Sequence, residues 1–485
     1  MSYISPENGY LFLVLFGLGM IAITYFFTKL KTKQTKESFL VANRQVGWFI
    51  GGASIAASWI WAPALFVSVQ LAYQKGIAGV FWFTVPNILA LAMFALLAPK
   101  IRKKLPKGFT LPQFIKHKLK SERVHKMYLI PYFFYQIMAI TVQLFAGGGL
   151  LSLLTGIPLI ITMPILAIIA LSYTLMSGLK ASIITDFIQL TLIFTIRAAL
   201  LPWVWSLAGG TSAINLGLGG LANIRDMFNP GIAFSFGIVT AIGLFAGAIS
   251  DQQYWQRSFA IKKDQLKKAF IFGAILFGIV PLALSTLGFL AANPELAIQL
   301  PAGIDASMIG VQTVATFLPS WATLLFVIML LAGLSSTLDS GLSAITSLWI
   351  TDIKQSNNKF SLTDSTIIKS ARKAMIGFTV VGLSIALGVL YIPSFGLQHL
   401  WWIFNTIAAC IATPTILSLY WNNLSERGVF WGVLVAFIVG IPFFIYGNLI
   451  DNPIWIVMSS LFIIGISTLF CVLLKKRTQL KPTPQ

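Results

Sequence analysis

Residues 45–74 read QVGWFIGGASIAASWIWAPALFVSVQLAYQ, a run of 30 positions without a charge. That is longer than the about 20 apolar residues a helix needs to cross the hydrocarbon core of a bilayer. The run is not uniformly apolar, because Gly51, Gly52, Ser54, Ser58, Pro63, Ser68 and Gln70 punctuate it. Pro63 has no amide hydrogen to give a helix, and it disfavours helical geometry at Ala62. Opened backbone at membrane depth is tolerated only where protein or a water-filled cavity satisfies it. The stretch reads as a broken membrane helix lining a solute or ion site; an ordinary proline kink is the alternative.

The flanking sequence has the same solvent. Of 485 residues 57% are hydrophobic, and the mean hydropathy is +0.84. No Asp, Glu, Lys or Arg occurs from Met127 to Leu179 or from Ala374 to Ser425, room in each case for two helices and a hairpin. The alternating ten-residue segments of a membrane β-barrel are missing. The expected fold is an all-α polytopic membrane protein with about 13 spans, near 9–27, 47–72, 78–98, 127–155, 158–178, 183–207, 232–250, 268–292, 319–349, 372–391, 396–420, 427–447 and 453–474.

Charge placement orients these spans. Alternate loops and the C-terminal tail hold 31 of the 34 basic residues, whereas the other side has only Lys75 and Arg225, and Arg197 falls inside a span. By the positive-inside rule the N-terminus is external and the C-terminus cytoplasmic, in a cell inner or plasma membrane. That asymmetry accounts for the net charge of +20 without a nucleic-acid partner. The first apolar stretch lacks a positive n-region and precedes basic residues, so it reads as an anchored helix. Cys410 and Cys471 fall in spans, and His117, His125 and His399 are scattered, which gives neither a disulfide framework nor a transition-metal site.

After the first helix, hydropathy divides the chain into an N-terminal span and loop (1–45), five spans (46–208), an external linker (209–231), five more spans (232–420) and two C-terminal spans with a tail (421–485). Five is odd, so two consecutive units of shared fold enter the membrane from opposite sides. Span seven runs into Asp251-Gln252-Gln253 and Trp255-Gln256-Arg257, which read either as an interruption or as a cytoplasmic cap. Gly147-Gly148-Gly149 and Gly156-Ile157-Pro158 read as a helix end and an external turn. No GxxxxGK[ST], HExxH or GxSxG occurs, so the chain carries no ATPase or hydrolase motif and is expected not to be an enzyme.

Ionisable residues inside spans face protein or water rather than lipid. Asp186, in Thr185-Asp186-Phe187-Ile188-Gln189, is either a functional acid or an interfacial helix start. Arg197, eleven residues on and about 16 Å along a helix, is too far away to pair with it. The densest polar cluster is Gly333-Leu334-Ser335-Ser336-Thr337-Leu338-Asp339-Ser340. Hydroxyls are hard oxygen donors suited to Na⁺, and carbonyls of a broken helix can complete a shell. The competing use is back-bonding of the hydroxyls to their own helix.

These motifs resemble the sodium:solute symporter family. The likeness is carried by Phe39-Leu40-Val41-Ala42-Asn43-Arg44, Gly52-Ala53-Ser54-Ile55-Ala56-Ala57-Ser58, Thr185 to Gln189, Gln256-Arg257 followed by Ala260 and Lys262, and Ser336-Thr337. It implies a leucine-transporter-type core of two inverted five-helix repeats with flanking helices. It also implies a Na⁺ site formed by the carbonyls of Ala56, Trp59 and Gly333 and the hydroxyls of Ser336 and Thr337. Asp186, with Asp339 and Ser340, would serve coupling or a second Na⁺. Ala57 to Ala62, with Ala72, Tyr73 and Gly76, leans towards the urea-transporter branch, and proline-transporter-like members are similar.

Ser58, Trp61, Phe66, Gln70, Gln136, Gln143, Trp401 and Asn405 are the solute-binding candidates, aromatic and amide-like, suited to a small neutral or zwitterionic solute such as urea or an amino acid. Trp401 and Trp402 read equally well as an interfacial aromatic belt. The expected partners are that solute and the lipid bilayer, with Na⁺ as coupling ion, no organic cofactor, and a monomer as the working unit. The rival readings are a proton-coupled or uncoupled permease and a membrane-embedded solute sensor.

Overall fold

The computed structural model describes residues 4–29, 35–176, 178–356, 363–392 and 396–476. Lys31, Lys33, Lys359, Arg477 and Lys481, counted above on the basic side, lie outside the described residues. Regular structure among the described residues is helical apart from one bridge, in which Val46 and Ile261 lie parallel.

The helices that build the fold are α1 (Pro6–Lys29), α2 (Trp48–Trp59), α3 (Pro63–Lys104), α4 (Glu122–Thr155), α5 (Leu159–Thr174), α6 (Leu179–Leu207), α7 (Pro230–Ser250), α8 (Gln252–Ala260), α9 (Leu266–Ala292), α10 (Ser320–Leu348), α11 (Asp364–Val389), α12 (Leu397–Tyr420), α13 (Glu426–Leu449) and α14 (Pro453–Leu473). Eleven helices among the described residues are long and apolar enough to cross a membrane. The count differs from the 13 stretches in the sequence for two reasons. α5 has only 16 residues, and the second and third stretches share α3, which bends instead of ending.

The first break comes just ahead of Pro63, but not at Ala62, which stays helical (φ −48°, ψ −47°). Ile60 leaves helical geometry (φ −81°, ψ 66°), and its amide is shared between the carbonyls of Ala56 (3.0 Å) and Ala57 (3.2 Å). The amide of Ala62 instead donates to the side-chain oxygen of Gln143 on α4, at 3.0 Å. The chain resumes as a π turn, Pro63–Val67. A second bend is at Gly76, whose φ of 59° and ψ of −149° only glycine adopts without strain. The linker is laced to it through Ile77 N–Leu218 O (2.9 Å), Leu221 N–Tyr73 O (2.7 Å) and Ala222 N–Gln74 O (3.1 Å).

α7 is also interrupted, without a proline. Asp251 is extended (φ −80°, ψ 111°) and caps α8 by accepting from the amide of Gln253 at 2.8 Å. Break and cap, alternatives in the sequence, are here one residue. The glycine reading needs correction: Gly147 to Gly149 lie inside α4, where a Cβ at Gly147 or Gly148 would strike Leu166 or Met163 of α5. These glycines therefore seat one helix on another. Gly156 does end α4, in left-handed geometry at φ 71°.

Burial ranks the helices. The apolar window of α12 is 83% buried and those of α4 and α10 are 78% buried, against 28% for α1. α4, α10 and α12 therefore form the centre, and α1 lies at the rim. α9 runs close along α2 and α3: a Cβ at Gly52 or Gly273 would strike the facing helix of the α2–α9 pair, and one at Gly278 or Gly288 would strike α3.

Candidate functional site

The centre of the molecule is a polar seam joining α2, α6, α8 and α10. Asp186, fully buried, accepts from Ser54 at 2.5 Å on one oxygen and from Ser336 at 2.5 Å on the other. Ser340 lies 3.4–3.5 Å from both oxygens. The guanidinium of Arg257, equally buried, donates to Asp186 at 2.8 Å, to Ser340 at 2.7 Å and to Ser54 at 2.9 Å. Asp186 is thus no interfacial cap; the N-cap of α6 is Gly178.

Arg257 is the residue the sequence reading missed. Its charge placed it among cytoplasmic loop residues, whereas Gln252, Gln253, Gln256 and Arg257 are all buried. Gln252 reaches Ser347, and Gln256 reaches the carbonyl of Leu40. The available signal was the Gln256-Arg257 motif beside the lone acid at 186. Arg197 stays clear of Asp186, as its spacing required, and donates to the carbonyl of Ile279 at 2.9 Å.

One turn towards the helix break, the hydroxyl of Thr337 is 3.3 Å from the carbonyls of both Ile60 and Gly333. A Cβ on Gly333 would meet the Ile60 carbonyl at 3.3 Å, so that residue also lies against the opened turn. Gly333 and Thr337 of α10 thus lie against the opened turn of α2 at Ile60, while Ala56, Trp59 and Ser336 are buried on the same two helices. Back-bonding is only part of what Thr337 does, and Ser336 is directed wholly at Asp186. Asp339 is buried too, and its Oδ1 has no hydrogen-bond partner.

The solute candidates divide. Trp61 stacks on Trp59 (4.9 Å between ring centroids) and meets Phe404 (5.1 Å) and Trp401 (6.3 Å) edge-on. Trp61 Nε1, Gln136 Oε1, Gln143 Nε2 and Asn405 Oδ1 are buried without partners, as is the hydroxyl of Tyr135. Gly247, on the last turn of α7, binds this group together: a Cβ there would lie 2.1 Å from Asn405 Oδ1 and 3.1 Å from the Tyr135 hydroxyl. Ser58 does not join them, because its hydroxyl is used by the carbonyl of Ser54 at 2.6 Å. Phe66 is buried in the π turn, and Gln70 bonds to Gln74 at 3.4 Å. Trp401 and Trp402 are 0% and 8% exposed, core residues and not an interfacial belt. Tyr135 and Gly247 carried no sequence signal of their own.

Residues 39–436 match the sodium:solute symporter family. The chain belongs to that family. This symporter is 23% identical over 463 residues to a probable urea active transporter of Schizosaccharomyces pombe, covering 88% of this chain and 68% of that one. It is 22% identical to the urea-proton symporter of Oryza sativa subsp. japonica, covering 89% and 64%, and 24% identical to the sodium/glucose cotransporter of Vibrio parahaemolyticus, covering 86% and 80%. It spans about two thirds of the length of the urea transporters it matches. Its fold resembles that of a Na⁺-coupled sialic acid symporter in a substrate-bound outward-open state, with a TM-score of 0.77, 19% identity and coverage of 97% and 99%. The symporter is a multi-pass membrane transporter, not an enzyme.

Proposed function

We propose that this symporter couples Na⁺ to the uptake of a small neutral or zwitterionic solute, urea or an amino acid, by alternating access. The observation that carries this reading is the junction at Ile60, where α10 presents Gly333 and Thr337 to the opened turn of α2, with Ser336 beside them on Asp186. The donor set fits Na⁺, since every atom is a hard, uncharged oxygen. Ser336 spends its hydrogen on Asp186 and keeps its lone pairs for a cation. Asp186 therefore orients a ligand and adds negative potential without touching the ion. Asp339 and Ser340 are the coupling or second-cation candidates. The Trp61, Gln136, Gln143, Trp401 and Asn405 group is the solute cradle, with unpartnered donors and acceptors of the kind an amide or urea satisfies.

In this reading the chain makes thirteen passes, with α2 to α6 and α7 to α12 as inverted units and the N-terminus external. Ion and solute favour the same state, so each raises the affinity of the other. A potential of about 100 mV, inside negative, adds about 2.3 kcal/mol per Na⁺. The test is uptake into proteoliposomes under an imposed Na⁺ gradient with a panel of urea, proline, other amino acids, sugars and carboxylates. Accumulation that needs Na⁺ supports the proposal. Accumulation that follows a pH gradient and ignores Na⁺ favours a second reading, proton coupling, to which the partnerless Asp339 oxygen and the name of the rice relative point.

A further inference from the structure

A separate cavity of about 450 Å³ opens on the face away from the basic loops, within the range of about 300–1,000 Å³ usual for ligand sites. It lies between the outer half of α4 (Phe145, Gly149, Ser152), the Gly303–Met308 turn and the start of α12 (Gly396, Leu397).

Its polar groups are mainly acceptors. Asp305 uses one carboxylate oxygen to cap its own turn, taking the Ser307 amide at 2.9 Å. The other oxygen points at Gly396 so closely that a Cβ there would come within 2.6 Å of it. The side chain of Ser307 is 1% exposed, lines the cavity, and leaves its hydroxyl without a partner. A buried hydroxyl without a partner is destabilising unless something completes it.

Two helices lead inward from here to the central group. On α12 the residues Leu397, Trp401 and Asn405 are spaced by four and share a face; each step is about 6 Å. α4 lines the cavity at Gly149 and, further along, carries Tyr135, Gln136 and Gln143. Trp401, one helical turn inward from the cavity-lining Leu397, is fully buried, with Phe83 and Trp61 rings at 5.4 and 6.3 Å.

We propose that this cavity is an outer docking subsite for solutes that donate N–H groups, such as ureas, amides and ammonium ions. The carboxylate selects against anionic solutes. The proposal rests on the transport reading for its purpose, but occupancy of the cavity can be measured without transport.

The experiment uses the purified full chain in detergent with Ser152→Cys, labelled by a hydrophilic maleimide; the native Cys410 and Cys471 are buried. Methylammonium and urea are expected to slow labelling at least about fivefold, and acetate and glucose to leave it unchanged. D305N keeps the capping oxygen and so the turn, but it should abolish protection by methylammonium. G396A, which displaces the carboxylate sterically, should do the same. A cysteine at 152 that does not react, equal protection by acetate, or full protection by methylammonium surviving in both D305N and G396A would overturn the subsite. Protection lost in D305N together with Na⁺-independent uptake would uphold the subsite while the coupling reading falls.

Discussion

Replacing Asp186 by Asn isolates the buried ion pair. In the native seam the carboxylate takes hydrogens from Ser54, Ser336 and Arg257, with Ser340 at the edge of contact, and neither charged partner is exposed. An asparagine turns one acceptor into a donor and leaves the guanidinium buried without an anion. Removing one partner from such a pair typically costs about 3–5 kcal/mol. Removing both charges costs less, because no orphaned ion remains. D186N is therefore expected to be less stable than the double variant D186N/R257M, with a coupling energy of about 3 kcal/mol in a double-mutant cycle. The assay is denaturant titration of the four proteins in mixed micelles, read by tryptophan fluorescence. Additivity of the two substitutions within about 0.5 kcal/mol would refute the reasoning, since it would mean that Arg257 finds other compensation once Asp186 is neutral.

S336A and T337A should each raise the Na⁺ concentration for half-maximal uptake about tenfold, the worth of roughly 1.5 kcal/mol for an oxygen bound to a charged group; unchanged Na⁺ activation in both removes the proposed ion site. G247A should lower solute affinity by about tenfold, one displaced hydrogen-bonding group, without loss of thermal stability, since alanine is the better helix former by about 1 kcal/mol. Wild-type uptake by G247A would show that the Asn405 and Tyr135 group does not hold solute. A reporter inserted near Gln299 should be accessible from outside the cell, and a cytoplasmic reading would reverse the topology.

What the sequence disclosed depended on whether one residue carried the signal. Apolar runs located the helices, and Pro63 marked the break in α2, because proline's chemistry is local. The break at Asp251 has no such marker, since an aspartate that caps α8 is indistinguishable in sequence from one that ends a helix at an interface. Ser336 and Thr337 stood out by density. Arg257 did not, because charge in a polar run normally means solvent, and only tertiary structure reveals that this run faces inward. For the same reason Trp401 and Trp402 read equally well as a belt, and Gly147 to Gly149 as a helix end: which neighbour faces a residue is not written in its neighbours along the chain.

The broken α2 also bears on biogenesis. Twelve residues of helix span about 18 Å, well short of a hydrocarbon core of about 30 Å, and the amide of Ala62 is answered only by Gln143, 81 positions further on. Thr337, which bonds the carbonyl of Ile60, lies 277 positions away. The nascent segment leaving the translocon thus has no mature resting place. It must be chaperoned, or parked near the interface, until α4 and then α10 have been synthesised. Its maturation is post-insertional, and truncation anywhere before α10 should leave it a substrate for membrane quality control.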